Sequence, residues 1–306
     1  SNYLKDDILK FALYDGKHHV VIDAHKMHDY PALIAWLEDS TTEKNVYDAK
    51  KSYVVAHRLD IAIKHIVFDV MLASYIIDPS RTIDDVNSVV TNYGQYYVQQ
   101  TIAIYGKGKK RQLPEDDVLN HHVATIIEAI SAIKPKMAEQ LDEYNQTDLL
   151  NDLELPLARI LSEMEETGIY TVANDLKEME KEIQSKLDVL IKNIHEAAGE
   201  PFNINSPKQL GVVLFETLEL PVIKKTKTGY STAVDVLEQL QGEHSIIEHI
   251  LEYRQLAKLQ STYVEGLQKV IAEDNRIHTR FNQTLAQTGR LSSIDPNLQN
   301  IPIRLE

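Results

Sequence analysis

Residues 279–304 read TRFNQTLAQTGRLSSIDPNLQNIPIR. The stretch is dense in Asn, Gln, Ser, Thr and Arg, yet Leu291, Leu298 and Ile301 are interleaved with these polar residues. Amide side chains both donate and accept hydrogen bonds, so this density suits contact with a polar ligand surface. The alternative is an irregular loop whose polar side chains cap its own backbone. Composition alone leaves both interpretations open.

The rest of the composition is that of a globular protein. The chain has 306 residues, 43% of them hydrophobic and 25% charged, which indicates about two domains. No apolar run approaches the ~18 residues of a membrane-spanning helix, and no secretory signal stands at the start. Cysteine is absent, which excludes disulfide scaffolds and thiol catalysis and fits a reducing cytoplasm. Because the sequence starts at Ser1 and stops just after Ile-Pro-Ile-Arg, we expect an excerpt of a longer protein.

The net charge of −14 is distributed unevenly. Residues 1–200 carry 21 Lys and Arg against 34 Asp and Glu, whereas residues 201–306 carry 11 against 12. An acidic protein repels nucleic acid at long range. Any contact with DNA therefore needs a local basic surface, which the last third supplies most easily. There, Asn and Gln side chains could read the acceptors that every base pair presents in the minor groove.

Alternating strand and helix patterns over residues 1–148 predict an α/β domain. Two extended runs flank Asp15-Gly16, a strong turn dipeptide, and predict a hairpin of Ile8–Tyr14 and His18–Ala24. Tyr105–Arg111, the sequence YGKGKKR, combines two glycines with four basic residues and predicts a flexible loop. Further strand–helix pairs are expected over Asn45–Leu59 and Ile61–Ile77, and helices over Tyr30–Leu37, Thr82–Tyr93 and Pro114–Lys134.

From about residue 149 the pattern becomes helical. Apolar residues recur at helical spacing from Leu153 to Met164, and the acidic run Glu163, Glu165 and Glu166 is typical of a solvated helix face. Ser206, followed by Pro207 and by Gln209, predicts a helix start. Long helices are expected over Asn174–Ala198, ended by Gly199, and over His244–Val270, and a strand over Arg276–Leu285.

Four strings in this part resemble the family A DNA polymerases, the family of bacterial DNA polymerase I. FNINSPKQL (202–210), KKTKTGYST (224–232) and YRQLAKLQSTYVEGL (253–267) resemble that family's thumb, and TGRLSSIDPNLQNIPIR (288–304) resembles the segment that leads into its palm. Weaker similarity over 1–148 points to its 3′–5′ exonuclease domain. The resemblance implies a ribonuclease-H-like α/β domain over 1–148, without its first strand, and a mainly α thumb with entry into the palm over 149–306.

The resemblance also implies a function. The parent would be a DNA-directed DNA polymerase that extends a primer 3′-OH with deoxynucleoside triphosphates and Mg²⁺, as a cytoplasmic, nucleoid-associated monomer without membrane attachment. The family's Mg²⁺-holding palm aspartates follow a strand beyond Glu306, so no catalytic residue is expected in this chain. The residues implied to contact primer–template DNA are Asn205, Lys208, Lys224, Lys225, Lys227, Thr228, Ser231, Thr232, Arg254, Lys258, Thr288, Arg290, Asn297, Gln299 and Asn300.

The exonuclease-like part departs from its family's pattern. That pattern needs an Asp-x-Glu, which residues 1–148 do not contain. It also needs a second Asp, whose matching position holds Ser52, and a Tyr-x-x-x-Asp, whose matching positions hold His121 and Thr125. Because Ser and Thr are poor Mg²⁺ ligands, we expect an inactive domain in which Asp69 is a structural acid. No metal site is expected at the adjacent histidine pairs. The alternatives are a non-catalytic duplex-binding scaffold and an active 3′–5′ exonuclease, which Ser52 and Thr125 argue against.

Overall fold

The computed structural model describes residues 2–94 and 97–301, so the Pro302–Arg304 end of the polar stretch lies outside the described residues. The chain forms two compact units. The first comprises residues 1–168 and 278–299, and the second comprises residues 169–277 and 300–306. The predicted boundary at residue 148, between the exonuclease-like domain and the thumb, stays a prediction. The first compact unit continues past that position, because the helix that follows it packs within this unit.

The N-terminal strands of the first unit form two small sheets. Strands β1 (Lys10–Tyr14) and β2 (His19–Asp23) form the expected antiparallel hairpin, in which Ala12 pairs with Val21. Strands β3 (Lys44–Val46) and β4 (Ile66–Asp69) pair in parallel, with a helix in the crossover between them. This connection is the expected strand–helix–strand unit of an α/β domain.

Seven helices of the first unit cover these strands in the described part of the chain. The longest, α6, runs past the predicted end at Lys134 and through Pro135, because Met137 and Leu141 continue its buried face. A π-helical turn, Leu149–Glu154, then leads into α7. The helices are α1 (Pro31–Glu38), α2 (Ala49–Arg58), α3 (Val70–Ile77), α4 (Val86–Val90), α5 (Thr101–Tyr105), α6 (Asp116–Glu143) and α7 (Leu155–Thr167).

The second unit is built on two long helices. Helices α8 (Ala173–Ala198) and α11 (Ser245–Lys258) pack through buried leucines and isoleucines. The predicted helix His244–Val270 is in fact α11, a π-helical turn (Leu259–Val264) and the short α12 (Glu265–Gln268). The other elements are β5 (Ile169–Tyr170), α9 (Pro207–Val212), a π-helical turn (Val213–Thr217), β6 (Lys225–Thr226), β7 (Gly229–Tyr230), α10 (Val234–Gln239) and β8 (Arg276–Ile277).

The chain then returns to the first unit with a second hairpin. Strands β9 (Arg280–Asn282) and β10 (Ser292–Ile294) pair antiparallel, with Phe281 opposite Ser293. The predicted strand Arg276–Leu285 is therefore divided between β8 of the second unit and β9 of the first. Among the described helices of both units, none has the length and hydropathy needed to cross a membrane.

The acidic run on α7 is not the solvated face that the sequence predicts. Glu163 is exposed, but Glu165 is fully buried. One Glu165 carboxylate oxygen accepts from the Lys50 ammonium (2.6 Å) and from the Phe281 backbone N–H (2.7 Å), and the other accepts from the Tyr3 hydroxyl (2.7 Å). A buried carboxylate needs such partners, which compensate for its lost hydration. Glu165 therefore joins the N-terminal segment, α2 and β9.

The apolar side of α7 is also placed differently from its pattern. Leu153, Ile160 and Met164 are 52%, 54% and 50% exposed, whereas Ala158 and Leu161 are buried where α7 packs on α2. Apolar periodicity alone predicts a helix, but it does not identify which of two partly apolar faces packs on the rest of the protein. In α7, the ion pair with Lys50 selects the face that carries Glu165.

Candidate nucleic-acid interface

The lysines predicted to bind phosphate lie on the short β6–β7 hairpin of the second unit. Lys224, Lys225, Lys227 and Thr228 are all exposed. The Thr226 hydroxyl fixes the turn, because it accepts from the Thr228 N–H (3.3 Å) and donates to the Gly229 carbonyl (3.1 Å). Three ammonium groups are thus presented to solvent from an ordered turn, an arrangement that suits phosphate contact without base reading.

Two of the residues predicted to contact DNA are instead buried directly after β7. Ser231 and Thr232 are buried, at 7% and 6% exposure. The guanidinium of Arg254 on α11 donates to the Thr232 carbonyl and to its hydroxyl, the latter at 3.3 Å. Burial lowers the pKa of Arg254 from its ordinary value. These contacts tie the base of the hairpin to α11, and a direct contact of the two hydroxyls with phosphate remains a prediction.

The second unit also brings several predicted residues together in one groove of about 480 Å³. Asn205, Arg254 and Lys258 line it together with Gln260 and Ser261. The groove is partly ordered by hydrogen bonds, since Tyr253 donates to the Asn205 side chain (3.3 Å) and Gln260 donates to Gln184 (3.0 Å). Lys208 lies exposed on α9, whose predicted cap is confirmed by the Ser206 hydroxyl accepting from the Gln209 N–H (3.3 Å).

Sequence reasoning did not identify the opposite wall of this groove. Gln184, Leu187 and Ile191 of α8 line it. Their spacing of three and four residues places them on one face of a helix. That spacing was a usable signal, but nothing in the sequence indicated that this face meets α11 next to the Arg254–Lys258 face.

The residues predicted near the primer terminus lie in and after the β9–β10 hairpin of the first unit. Thr288 and Arg290 are exposed in the connecting loop on either side of Gly289, whose φ of +79° is a left-handed conformation that favours glycine. The loop is held from inside the unit, because the Tyr75 hydroxyl donates to the Ala286 carbonyl and the Gln283 amide donates to the Glu154 carboxylate (3.1 Å).

The capping interpretation of the polar stretch holds for two of its residues, and the ligand-contact interpretation stays a prediction. Gln299 donates to the Leu291 carbonyl (3.1 Å) and accepts from the Ser293 N–H (3.3 Å), while the Asn297 side chain accepts from the Gln299 N–H (3.0 Å). Asn297 and Gln299 therefore cap backbone groups, although both remain exposed. Asn300 is exposed as well and is grouped with the second unit.

The structure places the three residues predicted to occupy exonuclease positions, Ser52, His121 and Thr125, on two different helices. The Ser52 hydroxyl donates to the carbonyl of Asp48, the N-cap of α2 (2.9 Å), and Thr125 donates to the His122 carbonyl (2.7 Å) within α6. His121 and Thr125 line a shallow depression of about 260 Å³ that does not include Ser52. Across residues 2–94 and 97–301, no group of three or more His, Asp and Glu side chains is placed to hold a metal ion.

Asp69 is the structural acid that the sequence predicts. It is fully buried and accepts hydrogen bonds from four backbone N–H groups, those of Asp48, Ala49, Met71 and Leu72, at 2.6–3.2 Å. Burial and, secondarily, the charge of Asp48 raise the pKa of Asp69 to about 7. Because its oxygens bind the ends of α2 and α3, this carboxyl group holds two helices to β4 and is not presented to a metal.

Comparison with known proteins finds two family matches along the chain. The family described as DNA polymerase family A matches residues 173–306, and the family described as DNA polymerase I, ribonuclease H-like domain, matches residues 1–133. DNA polymerase I of Bacillus subtilis (strain 168) is 49% identical over 306 residues, which are 100% of this chain and 35% of that protein. DNA polymerase I of Lactococcus lactis subsp. lactis (strain IL1403) is 52% identical over 263 residues, 86% of this chain and 30% of that protein.

A solved structure has the same fold. The polymerase domain of Pol1 from M. smegmatis, in complex with DNA primer–template and dNTP, superposes with a TM-score of 0.77 at 32% identity, over 94% of this chain and 48% of that one. The fold is therefore a ribonuclease-H-like exonuclease domain followed by a helical polymerase region. The chain belongs to the family A DNA polymerases and is similar to DNA polymerase I within that family. It spans about a third of the length of these curated relatives.

The exposed lysines of the β6–β7 hairpin give a first prediction. Lys224, Lys225 and Lys227 are replaced together by Ala. For duplex DNA of any sequence, the slope of the logarithm of the association constant against the logarithm of the salt concentration should become flatter by about 2–3, because each neutralised phosphate contributes about −0.9 to that slope. The measurement is a titration of labelled primer–template over a salt series. The matched control replaces Lys177, Lys181 and Lys186, which are exposed on α8, by Ala. An unchanged slope in the hairpin variant would mean that its lysines are only solvated.

Proposed function

We propose that this chain is part of a DNA-directed DNA polymerase of the polymerase I type, and that it binds the primer–template duplex. The observation that carries the proposal is the β6–β7 hairpin, which presents Lys224, Lys225 and Lys227 in a chain whose net charge is −14. The M. smegmatis relative, whose structure contains primer–template DNA and dNTP, supports the choice of ligand. The polymerase would add deoxynucleotides to a primer 3′-OH in replication and repair.

The two candidate contact regions would perform different tasks. The lysines and Thr228 of the hairpin bind phosphates, which positions the duplex without reading its sequence. In the groove, Asn205, Arg254 and Lys258 offer donors for further backbone contacts. Arg290 in the β9–β10 loop lies beside Gly289, where the absence of a side chain lets nucleic acid approach closely, and its guanidinium would reach base acceptors in the minor groove at the primer terminus.

Mg²⁺ is assigned to the whole polymerase and not to this chain. Two-metal phosphoryl chemistry needs carboxylates that converge on the ions, and the described residues contain no such cluster. The buried acids Asp69 and Glu165 do not fit the role, because backbone N–H groups and Lys50 already occupy their oxygens. We further propose that the polymerase acts as a cytoplasmic monomer associated with the nucleoid, where its DNA substrate is found.

A second candidate function, proofreading by the exonuclease-like region, is disfavoured by the same local geometry. Ser52, His121 and Thr125 stand where metal-holding and substrate-orienting side chains are needed, and the hydroxyls of Ser52 and Thr125 are bonded to backbone carbonyls of their own helices. We therefore propose that this region serves as a scaffold for the rest of the first unit.

Arg290 provides the sharpest test of the polymerase assignment. In the full-length protein, Arg290→Ala should weaken primer–template binding less than about 3-fold but lower the rate of nucleotide addition about 10–100-fold, because the lost contact is made mainly in the transition state. Single-turnover extension and equilibrium binding measure the two effects. Arg159→Ala, an exposed arginine on α7, is the control and should change neither. Equal losses in binding and rate would contradict the assigned role.

The scaffold assignment predicts that the full-length protein does not proofread. With Mg²⁺ or Mn²⁺ and without nucleotides, a mismatched 3′ nucleotide should be removed no faster than a paired one, because Ser52 and Thr125 stand at positions where metal-holding carboxylates are needed. Ser52→Ala and Thr125→Ala should leave this background unchanged. Preferential removal of the mismatch that either substitution abolishes would show that these positions are catalytic after all.

A further inference from the structure

The loop between α5 and α6 concentrates positive charge in an acidic region. Residues 1–148 contain 16 Lys and Arg against 22 Asp and Glu. Four of those 16 basic residues, Lys107, Lys109, Lys110 and Arg111, fall within five consecutive positions. All four are exposed. The loop is therefore a local cationic surface on a region that otherwise repels nucleic acid.

The loop is ordered, although its glycines predicted flexibility. Gly106 has a φ of +75°, and a Cβ atom there would lie 2.5 Å from the Lys110 carbonyl oxygen, so only glycine allows the loop to close this tightly. The Lys110 N–H donates to the Lys107 carbonyl (3.1 Å), and the Arg111 N–H donates to the Gly108 carbonyl (3.1 Å). The four cations are thus mounted on a folded backbone.

Both ends of the loop are anchored to the first unit. The Gln112 N–H donates to the Tyr105 carbonyl (2.9 Å), which closes the base of the loop. The Tyr105 ring meets His122 of α6 edge to face at 6.1 Å. Because the loop backbone is already ordered, ligand binding at the cations restricts little further backbone motion, which lowers the entropic cost of binding.

The cations are not neutralised by the acidic residues that follow them. Asp116 instead pairs with Lys10 (2.6 Å). Within the described parts of the chain, none of the four basic residues forms an ion pair. Their charge is available to an external anion.

We infer that the 107–111 loop is a second phosphate-contacting surface for nucleic acid, separate from the β6–β7 hairpin and the β9–β10 loop. The inference rests on the proposed function, because the nucleic acid that the polymerase binds would supply the phosphates. Lysine and arginine side chains that contact only phosphates bind the nucleic-acid backbone irrespective of base sequence. An acidic polypeptide is the competing ligand, and the experiment separates the two.

The test neutralises the loop while preserving side-chain size. The variant carries Lys107→Gln, Lys109→Gln, Lys110→Gln and Arg111→Gln, and the matched control carries Lys5→Gln, Lys17→Gln, Lys51→Gln and Lys64→Gln at exposed positions scattered over the same unit. Both variants change the net charge equally, so only the location of the charge differs. Circular dichroism checks that both variants keep the fold of the unmodified chain.

Binding to blunt duplex, to primer–template with a long single-stranded overhang, to single-stranded DNA and to poly-glutamate is titrated over a salt series. The loop variant should flatten the slope of log K for at least one DNA by about 2–4, since each phosphate contributes about −0.9 in duplex and about −0.7 in single strands. The control should leave the slope unchanged. The DNA that shows the effect identifies whether double or single strands occupy the loop.

Two results would overturn the inference and leave the proposed function intact. A loop variant with the same DNA slope as the control would show that the loop is only solvated. Loss of poly-glutamate binding with unchanged DNA binding would assign the loop to an acidic polypeptide. Failure of the unmodified chain to bind any DNA is a different outcome, because it would refute the proposed function and, with it, this inference.

Discussion

The first unit depends on one buried ion pair, between Glu165 of α7 and Lys50 of α2. The side chain of Glu165 is 0% exposed and that of Lys50 is 6% exposed, and the Lys50 Nζ lies 2.6 Å from the Glu165 Oε1. Because breaking one partner of such a pair leaves a buried charge uncompensated, the surroundings must hold both. Glu165 accepts further hydrogen bonds from Tyr3 and from the Phe281 N–H, so this carboxylate fixes the N-terminal segment and β9 against the same helices.

That arrangement gives the exonuclease-like region a structural role. Asp69 directs its oxygens to four backbone N–H groups and orders α2 from one end, while Lys50 of α2 orders β9 through Glu165. The β9–β10 hairpin that carries Arg290 is therefore built on the exonuclease-like scaffold. Under the proposed function, this region holds a DNA-contacting loop in place.

The sequence predicts most elements but misplaces the residues whose roles depend on distant partners. Turn dipeptides and apolar periodicity correctly predict the β1–β2 hairpin and α8, because those signals are local. Glu165 resembles a surface residue because its partners, Lys50 and Phe281, are more than a hundred positions away. Burial of Ser231 and Thr232 under Arg254 is equally non-local. The 107–111 loop is ordered by main-chain hydrogen bonds that composition does not reveal.

Amide hydrogen exchange in a Lys50→Met variant tests the central claim most directly. If Glu165 transmits order from α2 to the hairpin, the Phe281 N–H and residues 280–294 should exchange about 100- to 4,000-fold faster, since breaking a buried pair costs about 3–5 kcal/mol. The second unit, including α8, should be unaffected, and Lys51→Met, at an exposed neighbouring position, should change nothing. Faster exchange confined to residues 49–58, with the hairpin as protected as before, would contradict the account.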